Sequence, residues 1–181
     1  MREIEVKILN INKNEIEKKL ALLGVKKTFE GMLEAYYFDY PNLKLRKSGK
    51  TLRLRKEDGK AVLTFKQKVN DKKFKIRNEH EVELSDFGKA KQILELLGLR
   101  VFSGINKKRT AYTLGEVHLE IDKYLGKYSF VPEFLEIESE DERLIYKYAG
   151  MLGFKPKDCK PWSMVDIINH YKVKKISNKI R

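Results

Sequence analysis

Seven stretches of this chain alternate apolar and charged residues at a spacing of two, and that pattern constrains the fold more than any other feature. Residues two apart on an extended strand project to the same side, so each stretch has one apolar and one charged face. In the first, Ile4, Val6 and Ile8 oppose Glu3, Glu5 and Lys7. Between Thr51 and Lys56, Leu52 and Leu54 oppose Arg53 and Arg55; between Ala61 and Lys68, Ala61, Leu63 and Phe65 oppose Thr64, Lys66 and Lys68. The intervening Glu57-Asp58-Gly59-Lys60 reads as a hairpin turn. After a turn at Asn70-Asp71, the stretch from Lys73 to Leu84 sets Phe74, Ile76, His80, Val82 and Leu84 against Lys75, Arg77, Glu79, Glu81 and Glu83. Leu99 to Leu114 carries Lys107 and Arg109 in phase. Glu116 to Tyr124 sets Val117, Leu119 and Ile121 against His118, Glu120 and Asp122, and Phe130 to Glu138 sets Leu135 and Ile137 against Phe134, Glu136 and Glu138. An eighth strand, Val25 to Tyr40, is marked by the run Ala35-Tyr36-Tyr37-Phe38-Asp39-Tyr40 and ended by Pro41-Asn42.

Four segments have helical spacing instead. Asn12 caps one carrying Ile16, Leu20 and Leu23, and Gly24 stops it; Ser85 or Asp86 caps a second with Ala90, Ile93, Leu94 and Leu97, stopped by Gly98. Near the C-terminus, about 140–152 carries Leu144, Ile145, Tyr148 and Met151, and Ser163 to Tyr171 carries Met164, Ile167 and Ile168, with Gly153 and Pro156 between them. Each helix must bury its stripe, and the large apolar surface on offer is the apolar side of the strands, so helices cover the outside. The 181 residues suit one domain, read as 1–171 followed by a basic tail over 172–181. Val173, Ile176 and Ile180 share a stripe in that tail, read as a frayed helix end, with a homodimer interface as the lesser expectation.

The charged faces then need somewhere to go. Glu3/Glu5, Arg53/Arg55, Lys107/Arg109, Glu120/Asp122 and Glu136/Glu138 are like-charged neighbours that repel unless a counter-charge or bound ion lies between them. A sheet of eight strands tends to curl and close. The expected fold is therefore α+β: an antiparallel eight-stranded closed β-barrel with helices packed outside and the charges lining a wet lumen. Carboxylates there suit divalent cations and the bases suit phosphate oxygens, because Mg²⁺ prefers a few carboxylates plus substrate phosphates. The formal charge of +13 agrees with a polyanionic partner without choosing one.

Other features exclude alternatives. Cys159 is the sole cysteine, so the chain has no internal disulfide or cysteine-based zinc site, and a cytoplasmic location is expected. Charge interrupts the N-terminal residues and no run of 18 apolar residues occurs, so no membrane span is expected. His80 reads as a packed histidine, His118 and His170 as surface residues, and Trp162 as packing a helix start rather than as a lid.

The ordered motifs Glu3-x-Glu5-x-Lys7, Tyr37-Phe38-Asp39, Leu52-Arg53-Leu54-Arg55, Thr64-Phe65-Lys66, Arg77-x-Glu79-x-Glu81, Lys107-x-Arg109, Glu120-x-Asp122 and Glu136-x-Glu138 resemble the CYTH domain, or triphosphate tunnel metalloenzyme, family over roughly residues 1 to 170. That family includes class IV adenylate cyclases, thiamine triphosphatases, inorganic triphosphatases and fungal-type RNA triphosphatases, which act on a triphosphate in an eight-stranded tunnel with Mg²⁺ or Mn²⁺. The resemblance implies metal ligation by Glu3, Glu5, Asp122, Glu136 and Glu138, with Glu120 nearby. It implies phosphate binding by Lys7, Arg53, Arg55, Lys66, Arg77, Lys107 and Arg109. Glu5, Lys7 and Lys66 stand as candidate catalytic residues, Glu5 as the acid that would orient a water. Tyr40 and Ser163-Met164 depart from the family's pattern, so no role is carried to Lys160.

Phosphoryl transfer needs charge neutralisation and alignment more than covalent help. Hydrolysis of inorganic triphosphate or of a nucleoside or organic triphosphate is the expected reaction. Class IV cyclisation of ATP to cyclic AMP and pyrophosphate is the alternative, and it needs an adenine pocket that no residue marks. A non-catalytic basic module for polyphosphate or nucleic acid is the rival from another class. The expected partner is a small-molecule triphosphate; nucleic acid is not required.

Overall fold

The computed structural model describes residues 2–57, 59–69 and 75–177. The alternating stretches become β1 (Arg2–Leu9), β2 (Lys26–Asp39), β3 (Lys50–Glu57), β4 (Lys60–Val69), β5 (Lys75–Leu84), β6 (Arg100–Leu114), β7 (Val117–Tyr124) and β8 (Phe134–Ser139). All pair antiparallel in the cyclic order β1-β5-β4-β3-β2-β6-β7-β8, with β8 returning to β1. Closure leaves no long sheet edge and places one face of every strand inward.

Parity decides which face that is. Ile4, Val6 and Ile8 of β1, Leu119 and Ile121 of β7, and Leu135 and Ile137 of β8 form the largest apolar cluster. Against it pack Ile16 and Leu20 from α1 (Lys13–Leu22) and, from the α-helix spanning Glu142–Met151, Ile145 and Ala149. A second cluster joins Phe38 and Leu54 to Ala90 and Leu94 of the helix Phe87–Leu96. Each such aliphatic side chain contributes roughly 1.5–3 kcal/mol when fully buried. With the single turn Lys44–Lys47 counted as α2, these two helices are α3 (Phe87–Leu96) and α4 (Glu142–Met151), and the last helix is α5 (Met164–Ser177). The caps are local: the Asn12 side chain accepts from the Glu15 N–H, Asp86 from the Lys89 N–H and Asp141 from the Arg143 N–H. Gly24 and Gly98 take φ of 69° and 86° just past α1 and α3.

Several expectations need correction. The last strand starts at Phe134 rather than Phe130, because a 3₁₀ turn at Gly126–Tyr128 and Pro132 precede it and Lys123 Nζ anchors that loop through the carbonyls of Ser129 and Val131 at 3.0 and 2.7 Å. His80 is exposed, and Val82 is 52% exposed, because no helix among the described residues covers that part of β5. His170 is half-buried, its ring 5.0 Å from both Trp162 and Tyr171. Lys73, Phe74 and the turn at Asn70-Asp71 lie outside the described residues.

The largest difference concerns α5. It extends past Tyr171 to Ser177, so six residues of the expected tail are helical; 178–181 lie outside the described residues. It also does not cover the outer wall. Ile167 and Tyr171 pack on Ile105, Tyr124 and Phe134, with Trp162 and Met164 alongside, so α5 seats against one end of the barrel through an apolar seam. The segment leading into it is tied to the first strand: Lys7 N–H donates to the Lys160 carbonyl at 2.8 Å, and Lys160 N–H to the Lys7 carbonyl at 2.9 Å. Tyr171 reaches back to Asn10, its hydroxyl 2.7 Å from Oδ1. Of the stripe at Val173, Ile176 and Ile180, Val173 is 63% exposed, and the other two side chains lie outside what is described. No helix among the described residues is long and apolar enough to cross a membrane.

Candidate active site

The inward faces enclose a cavity of about 1110 Å³. Glu3, Glu5, Lys7, Arg53, Arg55, Lys66, Arg77, Lys107, Arg109, Glu136 and Glu138 all line it, and so does Glu120. Asp122 does not: it is wholly buried in the wall, behind Lys107 and Arg109, which both hold its carboxylate.

Register sets which charges meet. Lys7 opposes Glu136 across the β1–β8 pair, at 2.8 Å, and also contacts Glu5. Lys66 opposes Glu79 on β5, at 2.6 Å, and its Nζ also lies 2.7 and 2.9 Å from the two oxygens of Glu3. Each candidate catalytic lysine is therefore shared between two carboxylates. Arg109 bonds Asp122 through two nitrogens at 2.8 and 2.7 Å, contacts Glu120, and reaches Glu136 at 3.3 Å. Burial opposes its charge, but Asp122, Glu120 and Glu136 outweigh that and hold its pKa well above the ordinary value.

Oxygens of Glu120, Asp122 and Glu136 all lie within 4.8 Å of one another. This set could hold a divalent cation, and its oxygen-only donors suit Mg²⁺ or Mn²⁺ better than a soft metal. Sequence reasoning placed Glu120 beside the metal ligands rather than among them. Its signal was the Glu120-x-Asp122 spacing, which puts both side chains on the inner face of β7. The other expected ligands sit differently: Glu3 is engaged by Lys66 and Glu5 by Lys7.

Glu138 shows the cost of collecting these acids. Burial first, then the negative charges of Glu3, Glu120 and Glu79, push its pKa up to about 8. Burial, with Glu3 alongside, raises Glu79 to about 7, and burial also raises Glu120. A cation entering this end must displace a proton at neutral pH. Apparent Mn²⁺ affinity is therefore expected to rise roughly tenfold between about pH 6 and 8, with proton release on binding. Calorimetry in buffers of different ionisation enthalpy measures this. An affinity that is flat in pH, with no protons released, would contradict it.

The bases facing these acids are incompletely satisfied. Arg53 reaches Thr64 at 3.3 Å and stands 4.0 Å from Glu79 and Glu81, yet its buried Nε–H has no acceptor among the described residues. Arg55 Nε lies 2.9 Å from Glu57 but is misaligned for a hydrogen bond, while its Nη2 donates to Glu81 at 3.1 Å. Buried donors left without acceptors are costly, so an anion at this wall would supply what the protein lacks. Sequence reasoning also missed the phenols of the lumen. Tyr37, Tyr124 and Tyr128 line the cavity, and burial, reinforced by Glu136 and Asp122, keeps Tyr124 neutral well above its ordinary pKa.

Known proteins are similar to this chain in sequence and fold. A protein of Methanocaldococcus jannaschii, named a putative adenylate cyclase, is 33% identical over 138 residues, which span 76% of this chain and 77% of that one. The solved structure of a Pyrococcus horikoshii protein matches with a TM-score of 0.76 at 31% identity, covering 92% of this chain and 99% of that one. A Hippeastrum protein, described as a putative adenylyl cyclase that reveals a dominant triphosphatase activity, shares the fold at 15% identity and a TM-score of 0.65, covering 93% and 95% of the two chains. The CYTH domain family model matches residues 1–147, and with the closed eight-stranded barrel and its inward rows of acids and bases this chain belongs to the CYTH domain family.

Proposed function

We propose that this protein is a divalent-metal-dependent triphosphatase that hydrolyses inorganic triphosphate, or a nucleoside or organic triphosphate, within the barrel. The observation that carries this reading is the orphaned Nε–H of Arg53, buried in a wall of bases that shares one closed lumen with the carboxylates of Glu120 and Glu136, behind which Asp122 lies in the wall. A triphosphate with its metal matches both walls, whereas a plain anion site would have no use for the acids.

Lys7, Arg53, Arg55, Lys66, Arg77, Lys107 and Arg109 bind phosphate oxygens, the arginines through paired N–H groups. Lys7 and Lys66 act by exchange: each leaves one of its two carboxylates for a phosphoryl oxygen and neutralises the charge that develops there. When Lys7 turns to phosphate, Glu5 loses one cationic contact and orients a water for in-line attack. Glu120, Asp122 and Glu136 hold the cation, with Glu3, Glu5 and Glu138 at the same end of the lumen. A bound Mg²⁺ or Mn²⁺ supplies charge neutralisation and Lewis acidity.

Cyclisation of ATP is the second reading, favoured by the name of the Methanocaldococcus jannaschii relative. It asks for a site that grips adenine. The rings available are engaged with one another: Tyr37 with Phe102 at 6.3 Å, Tyr124 with Tyr128 at 6.5 Å, and Phe102 also with Arg46 at 5.9 Å. Hydrolysis needs no such site, and the Hippeastrum barrel is described as carrying that activity. Incubation with tripolyphosphate or ATP and Mg²⁺ or Mn²⁺ decides between them. Orthophosphate release is expected; cyclic AMP with pyrophosphate as the sole products would overturn the hydrolase reading.

A further inference from the structure

Three adjacent strands set Glu81, Thr64 and Arg53 in one row across the inner wall. Arg53 of β3 stands opposite Thr64 of β4, and Thr64 stands opposite Glu81 of β5. Neighbouring strands lie about 4.8 Å apart, so the guanidinium and the carboxylate have the width of β4 between them. They do not close it: Arg53 Nη2 and Glu81 Oε2 are 4.0 Å apart, beyond hydrogen-bond range. Thr64 fills the gap. Its Oγ1 accepts from Arg53 Nη2 at 3.3 Å and donates to Glu81 Oε2 at 3.0 Å. The other oxygen of that carboxylate accepts from Arg55 Nη2 at 3.1 Å. One acid therefore holds both like-charged neighbours of β3, Arg55 directly and Arg53 through a hydroxyl.

The two arginines differ in what else steadies them. Arg55 also has Glu57 at 2.9 Å. The second acid near Arg53 is Glu79, likewise 4.0 Å away, and Lys66 engages it at 2.6 Å. Among the described residues, Thr64 is the only side chain that Arg53 hydrogen-bonds. Thr64 is itself wholly buried, and it does not line the cavity, although Arg53, Glu81 and Lys66 around it do. A ligand in the lumen meets the arginine and not the hydroxyl. The chemistry of the position is also narrow: a hydroxyl accepts from a guanidinium and donates to a carboxylate at once, which a methyl of the same size cannot do. β-Branching restricts its rotamers, so the backbone of β4 fixes where that hydroxyl lies.

We propose that Thr64 is a positioning residue for substrate: by holding Nη2 of Arg53 against β4, it fixes the guanidinium so that the unpaired Nε–H is the group offered to a phosphoryl oxygen. Thr64 touches no substrate and acts through Arg53. This rests on the triphosphatase reading for the reaction, and on anion binding at the arginine wall for the interaction itself. The arrangement explains why Arg53 Nε–H is left without an acceptor in a buried place. Were Nη2 free to swing, the guanidinium could turn toward Glu79 or Glu81 and satisfy itself within the protein, and part of the binding energy of the anion would go to undoing that contact.

The test compares wild type, Thr64→Val, Thr64→Ser, Arg53→Gln and the double variant Thr64→Val/Arg53→Gln. Hydrolysis of tripolyphosphate with Mn²⁺ and calorimetric binding of tripolyphosphate in EDTA are the readouts. Valine keeps the shape and removes both hydrogen bonds, so KM and the metal-free Kd are expected to rise about tenfold, with kcat within about threefold. Serine keeps the hydroxyl and should restore both constants to within about threefold. In the Arg53→Gln background, Thr64→Val should change the metal-free Kd by less than about twofold, because the residue through which it acts is gone. Equal losses for valine and serine, a fall in kcat with KM unchanged, or a tenfold loss from valine in the Arg53→Gln background would each overturn the inference, as would no loss at all. If wild type binds tripolyphosphate but releases no orthophosphate, the triphosphatase reading fails by itself, and the metal-free Kd series still decides the role of Thr64. If Thr64→Val melts below the assay temperature, the Arg53 Nε–H resonance of wild type, assigned by its loss in Arg53→Gln, decides instead. It should shift when tripolyphosphate saturates the protein, and a resonance that does not move would overturn the proposal.

Discussion

Glu136→Gln is expected to lower metal-dependent phosphate release by at least 10³-fold while leaving the protein folded. Glu136 is the point at which the two halves of the site meet. It belongs to the three-carboxylate set with Glu120 and Asp122, it lies 2.8 Å from Lys7, and Arg109 reaches it at 3.3 Å. Glutamine keeps the shape and one carbonyl acceptor but removes the charge that a hard cation needs. The fold should survive because Lys7 retains its contact with Glu5, and Arg109 its bonds to Asp122. Binding of the anion in the absence of metal should hold or tighten, since one negative charge leaves a site built to receive phosphate. That split separates an enzyme from a basic binding module: a module should bind as well without Glu136 and have no turnover to lose. Full turnover in the variant would remove Glu136 from the chemistry.

Arg109→Leu is expected to cost about 3–5 kcal/mol of folding stability at neutral pH, the usual penalty for stranding buried charges. With its side chain 10% exposed and Asp122 wholly buried, Arg109 is the cation on which Asp122, Glu120 and Glu136 converge. Leucine leaves three carboxylates facing one another, with Lys107 on Asp122 and Lys7 on Glu136 among the cations that still answer them. Mutual repulsion then raises their folded pKa values above those of the unfolded chain. A carboxylate raised in this way is destabilising once the unfolded state has ionised and the folded state has not. The variant should therefore come nearest to wild type below about pH 4 and fall further behind as pH rises toward 8. Mn²⁺ should recover part of the loss, because a cation replaces the missing guanidinium. Thermal melts at two pH values with and without Mn²⁺ measure this, and a drop of about 10 °C at neutral pH is the scale to expect. A deficit independent of both pH and metal would mean that Arg109 matters for packing rather than charge.

The alternation in the sequence carried the architecture because parity is a local property. Glu3, Glu5 and Lys7 share a face whatever else the chain does, and once the apolar face was assigned to the helices the charged one had to turn inward. Level along the barrel axis is not local. Which inward residue of one strand meets which of another depends on register and stagger, and these are set by turns and by closure of the whole ring. For that reason Glu120 could be placed on the right face of β7 without being placed in the carboxylate set with Glu136, and the hold of Lys66 on Glu3, 63 residues away, had no signature in sequence. The position of α5 was hidden for a related reason. A stripe of Met164, Ile167 and Ile168 reads the same whether it lies on the outer wall or across an opening, and the inward Ile105, Tyr124 and Phe134 that it meets are scattered over three strands. His80 and Val82 mark the reverse error: they follow the apolar parity of β5, but no helix arrives to cover them.

The pairing of Ile4 with Ser139 and the double hydrogen bond between Lys7 and Lys160 also bear on how the molecule is made. As the chain emerges from the ribosome, β1 precedes the other seven strands, whereas the strand that closes the ring beside it is the eighth and the segment that ties off its end follows later still. Until then β1 keeps a bare backbone edge on the side away from β5, and Lys7 has no Glu136 to meet. Hairpins such as β3–β4 and β6–β7 can form as they emerge, but the ring must wait for its two ends. Contacts of such long sequence separation slow folding and prolong the exposure of unpaired strands. The assembly of the candidate active site and the closure of the fold are therefore the same late event, so a truncated or stalled chain would lack both.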